Sequence, residues 1–218
     1  MKVGIIHATM NAVQPMMQTF SELEPQVSVL NFVNEGLLSR ANQVGKVDER
    51  GLREFAKLVF QAVDAGVDGI IVACSVYCPF VPIIKNFVEI PMIAVDRSMI
   101  LQAVECGNKI GIIATTAPSA PSAKRQIEKM ANDKGKKIST EIEIVTEGMA
   151  ELKKGNIEKH NQIVRMAAER LIQKNCDVIV LSQITMACAA GDMKDLNAKI
   201  LTSPSEGVKS IMKLINAK

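Results

Sequence analysis

Of all the side chains in this sequence, the thiol of Cys74 is the one best placed to do chemistry. It closes a short unbroken apolar run, Ile70, Ile71, Val72 and Ala73, within the stretch VDGIIVACSVYCP at residues 67–79. Such a run, bounded by Gly66 and Asp68 before it and by two prolines after it, fits a strand buried on both faces of a parallel sheet. Ligands of open α/β sheets bind at the carboxyl ends of their strands. A thiol there can meet the amino-terminal dipole of a following helix, which favours thiolate over thiol. Cysteine is also an ordinary small buried hydrophobe; the strand end is what selects the chemical reading. A metal on Cys74 and Cys78 would need His7, His160 or a distant cysteine to complete its shell, so no metal site is expected.

The elements that must position this thiol alternate along the chain. Residues 2–7 (KVGIIH) read as a strand, a helix with Pro15 in its first turn runs to about Leu23, and residues 26–33 alternate as a second strand. Residues 34–45 form a loop or short helix. Asp48 caps a helix to about Ala65 with Leu52, Phe55, Leu58, Val59 and Val63 on one face. After the Cys74 strand come a helix over 80–88, a strand at 91–96 and a helix from Arg97 to Cys106 closed by Gly107. The pattern then restarts: strand and turn at 108–116, helix 118–134, strand 138–145, helix 157–174, strand 176–182, a short helix near 186–190, strand 199–202 and helix 206–215. Strands alternating with helices argue for parallel sheets covered on both sides.

Two segments recur in order. Lys2-Val3-Gly4-Ile5-Ile6 matches Lys109-Ile110-Gly111-Ile112-Ile113 at an offset of 107, and Asp68-Gly69-Ile70-Ile71-Val72 matches Asp177-Val178-Ile179-Val180-Leu181 at 109. These offsets suggest two pseudo-symmetric α/β halves, each a mostly parallel sheet of about four strands flanked by helices, with strand ends facing a shared cleft. The expected halves are 1–97 with 207–218, and 98–206. On this alignment Gln183 stands where the first half has Cys74.

Composition narrows the classes. The 218 residues are 48% hydrophobic and 22% charged, ordinary for a globular chain with a substantial core. Net charge is +3 without a basic block, and aromatics are only 3% with no Trp, which leaves little to build a base-stacking platform; no nucleic-acid partner is expected. No apolar run approaches the roughly 18–20 residues of a membrane helix. The opening MKVGIIHATMN is too short in apolar residues for a signal core, and five cysteines is an odd count, so reduced thiols in a cytoplasm are the expectation.

KVGIIH at the start, VACS at 72–75, KIGIIATT at 109–116 and VIVLSQITMA at 178–187 together resemble the aspartate/glutamate/hydantoin racemase superfamily, which also includes maleate isomerase and arylmalonate decarboxylase. The resemblance spans nearly the whole chain. It implies two pseudo-symmetric α/β domains, a homodimer, cofactor-free chemistry at a carbon next to a carboxylate, and one cysteine from each half facing the substrate. Inverting a stereocentre needs one group to remove a proton and another to return it on the opposite face, and thiols near pKa 8.5, about the free-cysteine value, can alternate between those roles. The developing enolate needs donors beside the strand ends. The resemblance points to Ser75, Val76, Thr115, Thr116, Ile184 and Thr185, with His7 and Asn11 after the first strand, as substrate-binding residues, each hydroxyl being equally able to serve as a plain helix cap.

The departure from the pattern is Gln183, which occupies the place of the second thiol. An amide cannot exchange protons near neutral pH; it only donates and accepts hydrogen bonds. Cys188, five residues on, is about 500° and about 7.5 Å further along a helix, a poor substitute and expected in the core. One-thiol reactions therefore fit Cys74 with Gln183 as catalytic pair: decarboxylation and protonation on one face, isomerisation through a thiol adduct, or carbon–carbon cleavage. A binding or sensing protein that has lost turnover is the alternative from another class, and thiol redox at Cys74 and Cys78 a third.

Overall fold

The computed structural model describes residues 1–115 and 119–217. The chain divides into two compact units, Met1–Arg97 with Pro204–Lys218, and Ser98–Ser203. The first contains β1 (Lys2–His7), α1 (Val13–Leu23), β2 (Ser28–Val33), α2 (Glu35–Val44), α3 (Glu49–Asp64), β3 (Gly69–Val72), α4 (Val81–Ile84) and β4 (Met92–Ala94), from which α5 (Val95–Cys106) leads away. Its sheet is parallel throughout, in the order β2-β1-β3-β4. Local chemistry explains the helix ends. Asn34 caps α2 by accepting from the Gly36 N–H at 3.0 Å, Gly45 closes it at φ 76°, and Asp48 caps α3 by accepting from the Gly51 N–H at 2.9 Å. Gly4 lets α3 approach β1: a side-chain carbon there would stand 3.3 Å from Ala62 Cβ.

The second unit contains β5 (Lys109–Ala114), α6 (Ser119–Asp133), β6 (Ser139–Ile144), α7 (Thr146–Lys153), α8 (Ile157–Gln173), β7 (Val178–Leu181), a 3₁₀ helix at Ile184–Met193 and β8 (Lys199–Thr202). The order β6-β5-β7-β8, again parallel, repeats that of the first unit. Consecutive residues of β5 feed two cores. Ile110 and Ile112 lie with Met99, Ala103, Val104 and Ile127, whereas Ile113 joins Val164, Ala168, Leu171 and Leu181. This is why the central strands β3, β5 and β7 carry unbroken apolar runs: both faces are covered, at about 1.5–3 kcal/mol for each fully buried large aliphatic side chain.

The repeat extends to individual hydrogen bonds. The Lys2 N–H donates to Asp68 Oδ2 at 2.7 Å, and the Lys109 N–H to Asp177 Oδ2 at 3.0 Å. The Ala73 N–H reaches Ile6 O at 2.9 Å, and the Ser182 N–H reaches Ile113 O at 3.0 Å. The last helices are exchanged between the units. Beyond Arg97, α5 belongs to the second unit, while α9 (Ser203–Asn216), which comes after β8, returns to the first and lies on β3, where a side-chain carbon at Gly69 would sit 2.8 Å from Ile215 Cδ1.

Some sequence expectations need correction. No single α-helix spans 80–88: α4 is flanked by 3₁₀ turns at Cys78–Phe80 and Lys85–Phe87, and Pro82 stands in its first turn, where a missing donor is tolerated. Of the loop or short helix expected over 34–45 the helix forms, as α2, whereas α5 starts at Val95 rather than Arg97. The short helix near 186–190 is a ten-residue 3₁₀ helix. Helix α7 was not foreseen. Gly107 does close α5, its N–H donating to Ala103 O at 2.9 Å, but outside the left-handed region; a glycine is needed there for space, since a side-chain carbon would meet Val178 Cγ2 at 2.9 Å.

Candidate active site

Cys74 is the second residue past β3, half-buried, where the chain turns out of the sheet. Its carbonyl accepts from the Tyr77 and Cys78 N–H groups at 3.0 and 2.9 Å, which folds residues 74–78 into a compact loop. Tyr77 anchors that loop. Its ring stands 5.1 Å from that of Phe55 and 6.4 Å from that of Phe80, and its hydroxyl donates to Leu37 O at 3.2 Å.

The expected helix dipole is absent, because the chain beyond the Cys74 loop forms only a 3₁₀ turn and a four-residue helix. Burial pushes the Cys74 thiol above the usual range, the N–H groups of Val76 and Tyr77 oppose that, and the Asp96 charge adds to it. Burial thus opposes the thiolate that the sequence led one to expect at Cys74. Cys78 is raised further, by burial first and then by the charge of Asp96 and a hydrogen bond to it; its thiol also donates to Val72 O at 3.5 Å. Asp96, two residues past β4, is a charge at this site that sequence reasoning missed. An acidic residue at a third strand end was the signal available.

His7 is the last residue of β1 and wholly buried. Its Nε2 lies 2.9 Å from Asn31 Oδ1, and Asn31 turns its NH₂ to Met17 Sδ at 3.2 Å. Asn31 Oδ1 only accepts, so Nε2 carries the proton, and Nδ1 is buried without a partner. Burial lowers the His7 pKa, against the Asn31 bond, keeping the ring neutral. Asn11 is exposed on a 3₁₀ turn, its N–H on Thr9 Oγ1 at 3.4 Å, and Ser75 and Val76 are exposed on the Cys74 loop.

In the second unit the Thr115 N–H and hydroxyl both donate to Gln183 Oε1, at 2.7 and 3.1 Å. An N–H can only donate, so the oxygen of Gln183 must face Thr115 and its NH₂ is the donor end. Ile184, half-buried, opens the 3₁₀ helix. The Thr185 hydroxyl oxygen is buried without a hydrogen-bond partner. Thr116 lies outside the described residues. Cys188 is no apolar core residue: half-buried, its thiol donates to Asn161 Oδ1 and Thr185 O, both at 3.4 Å, and burial raises its pKa. The sequence offers no role for His160, on α8, beyond that of a remote metal ligand. His160 is wholly buried, with Nδ1 at 2.8 Å from Gly148 O and Nε2 unpartnered. Among the described residues no group of three His, Cys, Asp or Glu could hold a metal, and no helix is long and apolar enough to cross a membrane.

These strand ends can be set beside known proteins. A family model described as Asp/Glu/Hydantoin racemase matches residues 4–211. No curated protein matches. Among solved structures, PH1733, an aspartate racemase homologue from Pyrococcus horikoshii OT3, is similar at a TM-score of 0.75 and 13% identity, covering 99% of both chains. The Picrophilus torridus aspartate racemase aligns at 0.72 and 14%, covering 99% of this chain and 94% of its own. The allantoin racemase from Klebsiella pneumoniae aligns at 0.74 and 14%, covering 99% and 88%. At such identities the likeness is one of fold, two α/β domains with parallel sheets. The family match over nearly its whole length is what identifies the chain: it belongs to the Asp/Glu/hydantoin racemase family, a family of isomerases.

Proposed function

We propose that this chain is a cofactor-independent enzyme acting at the carbon next to a carboxylate of a small molecule. Cys74 is its acid/base or nucleophile, and Gln183 donates to a carboxylate or enolate oxygen. The observation that carries the reading is the matched placement of these two residues. Each comes directly after an amide bonded to β1 or β5 at the same rung, and each carbonyl accepts from the N–H three residues on, Tyr77 at 3.0 Å and Met186 at 3.0 Å. A thiol held protonated by burial is suited to delivering a proton to a carbanion. An amide whose oxygen is fixed by two donors has its NH₂ oriented before any substrate arrives. One thiol and one amide favour a reaction with a single proton-transfer face, such as decarboxylation with protonation, thiol-adduct isomerisation or carbon–carbon cleavage. His7, Asn11, Ser75, Val76, Thr115, Thr116, Ile184 and Thr185 are the proposed substrate-binding residues.

A binding or sensing protein is the second reading, favoured by Gln183 itself, which cannot exchange a proton. Proton NMR in D₂O separates the two. The protein and Cys74→Ala are each mixed with amino acids, 2-substituted malonates, maleate and hydantoins. Deuterium entering at one carbon, or loss of CO₂, only with Cys74 present supports the enzyme. Exchange with inversion makes it a racemase with a second acid. Ligand broadening without turnover across the panel supports the sensor.

A further inference from the structure

The corner between β2 and α2 in the first unit has a counterpart between β6 and α7 in the second. The Asn34 N–H donates to His7 O at 3.1 Å, and the Val145 N–H donates to Ala114 O at 2.8 Å. Three residues on, Leu37 and Gly148 correspond, their N–H groups reaching Asn34 O at 3.1 Å and Val145 O at 3.0 Å. Asn34 caps its helix; Val145 gives α7 no side-chain cap.

The two corners share a side-chain donor on the same carbonyl. Leu37 O accepts from the Tyr77 hydroxyl at 3.2 Å, and Gly148 O from His160 Nδ1–H at 2.8 Å, both donors coming from buried rings. Tyr77 belongs to the Cys74 loop, so its bond fixes that loop directly. His160 acts through one more residue. A carbon added at Gly148 would lie 3.5 Å from the Thr115 methyl and 3.6 Å from His160 Nδ1, so the tied corner lies against Thr115. Thr115 in turn holds Gln183 Oε1 with its N–H and hydroxyl.

We infer that His160 is the positioning residue of Gln183, the counterpart in the second unit of Tyr77 for Cys74. The inference rests on the proposed role of Gln183, but its physical core, that His160 fixes Thr115, can be read without turnover. His160→Ala removes the bond to Gly148 O. His160→Asn places an amide N–H near the same carbonyl and deletes the unpartnered Nε2, whose burial costs stability without any compensating bond.

The experiment is amide hydrogen exchange, with Ile112 and Ile113 in the same strand as controls for general opening. In His160→Ala the Thr115 amide should exchange at least about tenfold faster while the controls hold, and in His160→Asn it should return to within about threefold of wild type. Unchanged Thr115 protection in His160→Ala overturns the inference. So does equal loss at Thr115 and the controls, since that describes a general structural role. With a substrate in hand, kcat should fall more than KM rises in His160→Ala, and the loss should vanish in a Gln183→Ala background; full additivity overturns it. A wild-type protein silent on every substrate would defeat the proposed reaction and leave the exchange result standing.

Discussion

The carbonyl of Leu37 and the hydroxyl of Tyr77, forty residues apart, are joined by a 3.2 Å hydrogen bond that ties α2 to the loop carrying Cys74. Tyr77→Phe keeps the ring against Phe55 and deletes only that bond, at a cost of about 0.5–1.5 kcal/mol. The loop should loosen, and Cys74 should be alkylated faster at fixed pH. An unchanged alkylation rate would show that ring packing alone holds the loop.

Because burial raises the Cys74 pKa, its reaction with a neutral alkylating agent should be slow at pH 7 and rise with pH, half-maximal above the midpoint of a free cysteine. Asp96→Asn removes a nearby negative charge and should move that midpoint down. A wild-type midpoint below that of a free thiol would mean that Cys74 rests as thiolate.

Two glycines should fail for different reasons. A side-chain carbon at Gly111 would stand 2.7 Å from Ile179 Cδ1 and 3.0 Å from Leu171 Cδ1, so Gly111→Ala should cost about 1–3 kcal/mol through overpacking. Gly155, at φ 81° with open space around it, should lose about 1–2 kcal/mol as Ala through backbone strain. Asn tolerates that backbone, so urea unfolding should show Gly155→Asn recovering much of its loss and Gly111→Asn losing more.

Acid should weaken the fold through paired carboxylates. Hydrogen bonds from Arg40 and then the Gly51 N–H hold Asp48 well below the usual range, and a hydrogen bond from Arg165 holds Asp195 at about 2. A carboxylate whose pKa is depressed by folding stabilises fully above its unfolded value near pH 4, and that contribution is lost as pH falls through the folded value. The urea midpoint should therefore drop between about pH 4 and pH 2, and Asp48→Asn and Asp195→Asn should flatten the drop. An equal acid slope in both variants would place the effect elsewhere.

Most of this fold could be read before it was seen, because its signals are local. The runs before Cys74 and in 109–114 mark strands covered on both faces, and Asp48 marks the start of α3. The repeat, visible at offsets near 108, points to two like sheets and pairs Cys74 with Gln183. The features that escaped depend on distant atoms. Helix α7 has no capping side chain at Val145, so nothing local announces it. Its corner is tied by His160, twelve residues away on α8, and no spacing singles that histidine out. The direction of the Cys74 pKa escaped because the helix expected to lower it is only four residues long, which leaves burial as the largest influence on the thiol.

The exchange of helices between the units sets an order of assembly on the ribosome. Residues 98–203 of the second unit are contiguous, and all have emerged before the first unit can finish. The face of β3 at Gly69 waits for Ile211 and Ile215 of α9, which follows the second unit in the chain. The amino-terminal half of the chain is therefore completed last, so Cys74, translated long before Gln183, gains its finished scaffold after it.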